Sequence, residues 1–259
     1  MKTLLDSGLS GIFLGVESFN EKDLEVFSKT SSVQENISAI EYFIKYPINV
    51  DIGFINFHPY STLEGLRTNA YYLHKYGYSG RFLLIKALRL FKGTDIYNKV
   101  EKDNLIKHED EFNVYQYNFK DKRISLLYDV INNYFNVLNE NTNLAQNINY
   151  YFNDHLDVMA HLKRYFNKIE DKIALELVNE YEKSVKYYLM ELNNINTKWF
   201  MEMIDEAENN TSDKNIYLDI MEKHLSAEML KEINRRLDNN KLLFYRNISK
   251  INKEYVRLF

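Results

Sequence analysis

The sequence contains no cysteine. This absence excludes disulfides, thiolate zinc sites, cysteine nucleophiles and any iron–sulfur cluster held by this chain alone. Long hydrophobic runs are missing too. None approaches the roughly 18–20 apolar residues of a membrane-spanning helix, so we expect no membrane partner. Asp6 interrupts the apolar start of the chain, which is not typical of a signal peptide. We expect a soluble, cytoplasmic protein of bacterial origin.

An excess of positive charge is also lacking. The 259 residues include 33 Lys and Arg against 37 Asp and Glu, a formal net charge of −4. This balance makes nucleic acid an improbable partner for the surface as a whole. The basic stretch from Arg235 to Lys253 could contact RNA or a peptide, but a solvated helix face is the simpler interpretation. The length allows one large domain or two small ones.

Glycine and proline are scarce and unevenly placed. All eight glycines and both prolines precede Thr94. Because these residues punctuate turns and break helices, the long stretch without them is expected to be mostly helical. We therefore divide the chain into a first part, residues 1–107, and a helical domain over residues 108–259.

The first part alternates between strand and helix patterns. Short apolar segments at Gly11–Ser18, Asn49–Phe57 and Arg81–Leu90 are typical of buried strands. A capping-box pattern at Ser32 and a threonine cap at Thr62 predict helices between them. The order predicts a parallel sheet of about three strands, too few to close a barrel. The predicted fold class is α/β plus all-α: a partial parallel βα half-barrel followed by a mostly helical C-terminal domain.

Aromatic and aliphatic residues recur at helical spacing through the second part. The pattern predicts longer helices around residues 126–138, 151–166 and 173–192, and shorter ones around 199–208, 216–224 and 229–237. The tyrosine and phenylalanine stripes are interpreted as helix core rather than as a platform for stacking bases.

Ligands of open parallel sheets bind beyond the carboxyl ends of the strands. The residues selected by this rule are Glu17 and Ser18 after the first strand, Asn56, His58, Pro59, Tyr60 and Ser61 after the second, and Arg89, Lys92, Gly93 and Thr94 after the third. Glu17 shares its face with Gly15, whose missing side chain leaves room for a ligand. The alternatives are that Glu17 is a solvated carboxylate at a strand end and that His58 is an ordinary turn histidine.

One face of the second part has metal-ligating residue types. Asp154, Asp157 and His161 are spaced i, i+3 and i+7 on a predicted helix. Carboxylate and imidazole groups could hold a metal ion, but such a face is more often solvated, so no metal site is assigned.

Three segments of the first part resemble the radical S-adenosylmethionine (SAM) superfamily. GIFLGVES at Gly11–Ser18, followed by Asp23-Leu24 and Lys29, resembles the fourth-strand region of those enzymes. GFINFHPYST at Gly53–Thr62 is similar to the fifth-strand segment, with His-Pro-Tyr-Ser-Thr where the family usually has Pro-Gly-Glu-Thr. LFKGTDIYNKV at Leu90–Val100 is similar to the segment after the sixth strand, with leucine at the usual proline position. The order and spacing of the three agree with the family.

The resemblance implies a SAM site at the strand ends. Glu17 and Ser18 would contact the amino or ribose groups of SAM, and Ile55 and Asn56 would line its adenine side. Arg89 is a candidate partner for the SAM carboxylate on chemical grounds, because a guanidinium pairs with a carboxylate through two hydrogen bonds. No catalytic residue is assigned.

The iron–sulfur cluster of that family has no ligands here. Members bind a four-iron four-sulfur cluster through three cysteines on a loop after their first strand, and this sequence has neither that motif nor the first three strands. A cluster would have to come from a missing N-terminal part or a partner. We therefore expect a truncated or split radical SAM enzyme, acting for example on a peptide. The alternative is a cluster-less, inactive binding or scaffold protein whose helical domain binds partners.

A half-sheet also implies a neighbour. The outer edge of the Gly11–Ser18 strand would leave backbone groups unpaired, and exposed edges invite association. We expect a second copy of the chain, a partner chain such as an N-terminal half, or a folded-back helix to cover it.

Overall fold

The computed structural model describes residues 1–109, 113–136 and 155–258. The strands are β1 (Gly11–Glu17), β2 (Asn49–Phe54), β3 (Ile106–Glu109) and β4 (Tyr115–Tyr117). The helices of the first part are α1 (Lys2–Asp6), α2 (Glu21–Val26), α3 (Val33–Phe43), α4 (Leu63–Lys75), α5 (Arg81–Leu84) and α6 (Asp95–Lys102). Those of the second part are α7 (Lys122–Asn136), α8 (155–168), α9 (Lys172–Glu208), α10 (Lys214–His224) and α11 (Ala227–Ile251), followed by a 3₁₀ helix at Lys253–Leu258.

β1 and β2 form a parallel pair, as the first two predicted strands require. The register matches Gly11 with Asn49 and Gly15 with Gly53, and it shifts between Gly15 and Glu17. In the described part of the chain, β2 is the one strand hydrogen-bonded to β1. The opposite edge of β1 therefore has no strand neighbour among these residues.

The two faces of this strand pair differ in their surroundings. Val16, Ile52 and Phe54 are buried in the main hydrophobic core. On the other face Phe13 is 69% exposed. The pair therefore packs on helices through one face and leaves the other open.

Local capping explains where the helices between the strands begin. Ser32 and Glu35 form the predicted capping box at the start of α3. The Thr62 hydroxyl accepts a hydrogen bond from the Gly65 N–H at the start of α4. α4 ends before Gly77, whose φ of 79° suits glycine because it has no Cβ. The predicted caps at Ser32 and Thr62 are confirmed.

The prediction of a third strand at Arg81–Leu90 is wrong over most of that segment. Its first four residues form α5, in which Arg81 and Leu84 are buried at helical spacing. Two of its later residues form isolated bridges, Ala87 with Phe57 in parallel and Leu90 with Tyr115 in the antiparallel sense. A short apolar run fits a buried strand and a buried helix equally, so its periodicity could not separate them. The second strand also ends earlier than predicted, at Phe54.

A hairpin that the sequence did not predict follows α6. β3 and β4 are antiparallel, with Ile106 opposite Tyr117. The Tyr117 hydroxyl donates towards the carbonyls of Leu88 and Phe57 at 3.2 and 3.3 Å. The hairpin therefore closes over the segment that follows β2.

The second part is mostly helical in the described residues, which confirms the predicted fold class. Two helices predicted separately around 173–192 and 199–208 are one helix, α9, because no glycine or proline interrupts it. α11 continues to Ile251, well beyond its predicted end. The ends of two other predicted helices, at 137–138 and 151–154, lie outside the described residues. None of the described helices has the length and apolar composition that a membrane crossing requires.

One hydrophobic core joins both parts of the chain. It brings Ile40 and Leu66 of the first part together with Ile124, Trp199 and Met203 of the second. A separate cluster holds α8, α9 and α11 together. The division at residue 107 falls within β3 and stays a prediction.

Candidate functional site

The candidate site lies towards the carboxyl ends of β1 and β2, on their open face. Gly15 and Gly53 are register partners there. A Cβ placed on Gly53 would lie 2.8 Å from Phe13 Cζ, and one on Gly15 would lie 3.3 Å from Glu17 Oε1. The paired glycines therefore form a flat surface between Phe13 and Glu17. We call this surface, made by Gly15 and Gly53, the glycine floor.

Glu17 has an unusual backbone conformation. Its φ of 61° lies in the left-handed region, which is uncommon for a residue other than glycine. Such conformations cost about 1 kcal/mol or more and persist where neighbouring contacts hold them. Here the Ile55 N–H donates to the Glu17 carbonyl at 2.8 Å. The turn directs Glu17 to the open face, while the next residue, Ser18, is fully buried.

An ion pair borders the glycine floor. Lys29 Nζ lies 3.3 Å from Glu17 Oε1, and a Cβ on Gly15 would lie 3.4 Å from the same ammonium. The two side chains are 34% and 24% exposed, so a ligand can reach both. The arrangement sets one carboxylate and one ammonium side by side at the edge of the glycine floor, with the Phe13 ring over Gly53.

Ser18 and Asn56 lie in a buried network instead. Ser18 Oγ is 2.8 Å from Asp23 Oδ2 and 3.0 Å from Asn69 Oδ1, two acceptors for its hydroxyl. Asn69 Nδ2 donates to Asn56 Oδ1 at 3.2 Å, and Asn56 Nδ2 donates to the Leu84 carbonyl at 2.6 Å. The structure therefore joins these two predicted site residues to one another through Asn69, inside the protein.

The network also contains a histidine–carboxylate contact. His58 Nε2 lies 3.1 Å from Asp23 Oδ1, and His58 is completely buried. The backbone N–H of His58 donates to Ser61 Oγ at 2.8 Å. Because the Ser18 hydroxyl contacts Asp23 rather than the imidazole, the group lacks the serine–histidine contact of a nucleophilic triad. Its chemistry is that of satisfied buried polar groups, which hold the strand ends in place.

Sequence reasoning missed the importance of Asp23 and Asn69. Asn69 lies on the inward face of α4, between Leu66 and Leu73. A polar residue on that otherwise apolar stripe is the signal that could have found it. Asp23 was noted only as part of the family resemblance, and its exposed neighbours in α2 concealed its burial.

The other predicted site residues lie apart from the network. Ile55 is half-buried and contacts Glu17 through its backbone. Arg89 is exposed, with its guanidinium 5.6 Å from the centre of the Phe91 ring. Burial, and then the nearby charge of Arg89, lower the pKa of Lys86. Among the described residues, no hydrogen bond or ion pair joins Arg89 to Glu17 or Ser18. The cofactor roles of all these residues stay predictions.

The structure offers no support for a metal site in its described residues. No group of three His, Cys, Asp or Glu side chains is placed to hold a metal ion there. Asp154 lies outside those residues, and His161 Nδ1 lies 3.1 Å from Arg164 Nη2. A neighbouring guanidinium disfavours a bound cation at that imidazole.

Comparisons with known proteins give a likeness in structure only. No protein-family model matches the sequence, and no curated protein matches it either. The structure of the cobalamin-dependent S-adenosylmethionine radical enzyme OxsB, with aqua-cobalamin and S-adenosylmethionine bound, is similar with a TM-score of 0.53. The match covers 94% of this chain and 42% of that chain, at 16% sequence identity. The fold is related to that of a radical SAM enzyme.

Two further OxsB structures are similar at lower scores. The form with aqua-cobalamin alone has a TM-score of 0.42, and the selenomethionine-labelled apo form has one of 0.48. At these identities the likeness concerns the fold alone. The chain spans less than half the length of the OxsB chain that it resembles.

Proposed function

We propose that this chain forms the SAM-binding, carboxyl-terminal half of a radical SAM-type βα barrel. The observation that carries the proposal is the glycine floor with the Glu17–Lys29 pair at its edge. The fold likeness to a radical SAM enzyme and the three sequence segments support the same assignment.

The chemistry of this edge suits the amino-acid end of SAM. That end has an ammonium and a carboxylate, and the protein offers a carboxylate on Glu17 and an ammonium on Lys29. Charged hydrogen bonds of this kind are stronger than neutral ones. The glycine floor has no side chains of its own, and the exposed Phe13 ring that lies over Gly53 would have to move aside to admit the rest of the molecule. In this arrangement Ile55 and the buried Ser18–Asn56 network would hold the strand ends, and Arg89 is an alternative partner for the carboxylate.

An iron–sulfur cluster does not fit this chain. Without cysteine there is no thiolate donor set for it, so no step is derived through a cluster here. When bound, SAM itself supplies the reactive sulfonium group, and the residues of this chain would bind and orient it. We propose that the free edge of β1 pairs with a strand of a cluster-bearing N-terminal half, on the same or another polypeptide.

One observation favours a second candidate, a scaffold without SAM. Lys29 already neutralises Glu17, so the carboxylate has a partner without any ligand. A protein that kept the half-sheet only as a folding platform would show the same ion pair. SAM affinity distinguishes the two candidates.

The test is SAM binding measured by ligand-observed NMR on the whole chain. Without cluster ligation we expect a Kd of roughly 1 mM, which corresponds to about −4 kcal/mol. Glu17→Gln should weaken binding about tenfold, because a charged hydrogen bond contributes roughly 1.5–3 kcal/mol. Lys29→Gln should weaken it too.

Glu25→Gln is the matched control, because Glu25 is an exposed carboxylate on α2. It should leave SAM affinity unchanged. No binding by the wild-type chain at several times the expected Kd would favour the scaffold. Equal binding by wild type and Glu17→Gln would place the site elsewhere.

A further inference from the structure

A pocket of about 390 Å³ lies beyond the end of β2. Its walls come from two segments that are distant in sequence: Tyr60, Ser61 and Thr62 before α4, and Lys120, Asp121 and Lys122 at the start of α7. The Lys120 N–H donates to the Pro59 carbonyl at 2.8 Å, which fixes the two segments together. We call these six residues the lysine pocket.

Positive charge gathers around this pocket. Lys120 and Lys122 line it, and both are exposed. Lys99 lies 4.6 Å from the centre of the Tyr60 ring, and Lys120 lies 6.0 Å from it. Within the described residues, no ion pair joins any of the three lysines to a carboxylate. Their charges are therefore available to a ligand.

The nearby carboxylates are already engaged. Asp121 accepts from Arg123 Nη2 at 2.7 Å and from Arg123 Nε at 3.1 Å, and these hydrogen bonds hold its pKa below the usual value. Asp103 accepts from the Tyr60 hydroxyl at 3.1 Å. Burial, and then Asp103, raise the pKa of Tyr60 to about 12, so its phenol stays neutral. Within the described residues, neither carboxylate forms an ion pair with the three lysines.

We propose that the lysine pocket binds an oxyanion, and that it prefers a phosphate group to a carboxylate. Lysine ammonium groups act as point charges, so their attraction grows with the charge of the anion. The lysines therefore attract the dianion of phosphate more strongly than a carboxylate, which has a single negative charge. The proposal is independent of SAM binding, because none of the six pocket residues belongs to the glycine floor or to its ion pair.

The test is a titration of the whole chain with inorganic phosphate near pH 7, followed through the backbone amide signals of residues 60–62 and 120–122. We expect saturable shifts at these amides with a Kd in the millimolar range. Lys120→Gln and Lys122→Gln should each raise the Kd roughly threefold, and the double variant about tenfold. Lys120→Arg keeps the charge and should bind nearly as well as wild type. Added salt should weaken binding by screening.

Lys45→Gln is the matched control, because Lys45 is an exposed lysine that precedes β2, at the opposite end of that strand. It should leave the Kd unchanged. The proposal fails if the pocket amides do not shift, if the shifts spread over lysines across the whole chain, or if Lys45→Gln weakens binding as much as Lys120→Gln. Acetate binding as tight as phosphate binding would overturn the preference for phosphate.

Discussion

Asp23 Oδ1 lies 3.1 Å from His58 Nε2, and both side chains are buried. The other carboxylate oxygen, Oδ2, is 2.8 Å from Ser18 Oγ. A single carboxylate thus ties α2 to the residues that follow β1 and to those that follow β2. This contact holds together the two strand ends beside which the glycine floor lies.

Asp23→Ala should destabilise the protein by about 3–5 kcal/mol, because it leaves the buried His58 imidazole without its carboxylate partner and removes one of the two acceptors of the Ser18 hydroxyl. The measurement is urea unfolding followed by circular dichroism. Glu25→Ala, an exposed change on the same helix, should stay within about 0.5 kcal/mol of wild type. Equal stability of the two variants would show that the buried network contributes little.

Gly53→Ala should weaken SAM binding while changing the stability of the fold little. The new Cβ would meet the Phe13 ring at 2.8 Å, and that ring is exposed and can swing aside. We expect a stability change below about 1 kcal/mol, together with a severalfold loss of SAM affinity. Thermal unfolding and ligand-observed NMR measure the two effects. Gly11→Ala, whose Cβ would have only ordinary contacts, is the control for both. A large loss of stability in Gly53→Ala would contradict the open face described here.

Trp199→Ala should destabilise both parts of the chain together. Trp199 is fully buried in the core that the two parts share, beside Phe135 and Phe200. Removing such a side chain costs roughly 3–5 kcal/mol. Circular dichroism in urea gives the loss, and Tyr187→Ala on the exposed face of the same helix should change little. A first part that stays folded while α9 unfolds would show that the shared core is not cooperative.

The Glu182 carboxylate should make stability depend on pH. Burial raises its pKa, but Lys163 of α8 and Lys186 of α9 outweigh that effect and hold the pKa below its ordinary value of 4.5. A lowered pKa in the folded state means that the stabilisation is present above about pH 4.5 and is lost as the pH falls through the folded-state pKa. Glu182→Gln should cost about 1 kcal/mol at pH 7.

The difference between wild type and Glu182→Gln should shrink towards zero in acid, where the wild-type carboxyl is protonated as well. Chemical unfolding at pH 7 and near pH 3 measures it. Glu180→Gln, an exposed change nearby on α9, should show no such dependence. A difference that is constant with pH would mean that the ion pairs do not contribute.

The predicted starts of α3 and α4 are confirmed, whereas the strand predicted from Arg81 is wrong, and the difference has a physical reason. α3 and α4 begin where Ser32 and Thr62 cap them, because a cap is a contact between residues three positions apart. The segment from Arg81 was predicted as a strand, yet its helical turn depends on burial of Arg81 and Leu84 against distant residues. Local signals do not report that burial.

The candidate site was only partly accessible to sequence reasoning. The positions of Glu17, Ser18 and Asn56 at strand ends followed from the pattern of strands. Alternation along the strand also places Glu17 and Ser18 on opposite faces. It does not predict the left-handed backbone at Glu17 or the burial of Ser18 in a polar network.

The sequence by itself determined the helical second part and the first two strands, together with the exclusion of thiolate chemistry. Composition, spacing and caps carry that information within short stretches of chain. Only the tertiary structure decided that Gly15 meets Gly53, that Asp23 meets His58, and that Lys120 approaches Tyr60. These pairs are far apart in sequence, and they meet because burial of the shared core fixes how the strands and helices pack.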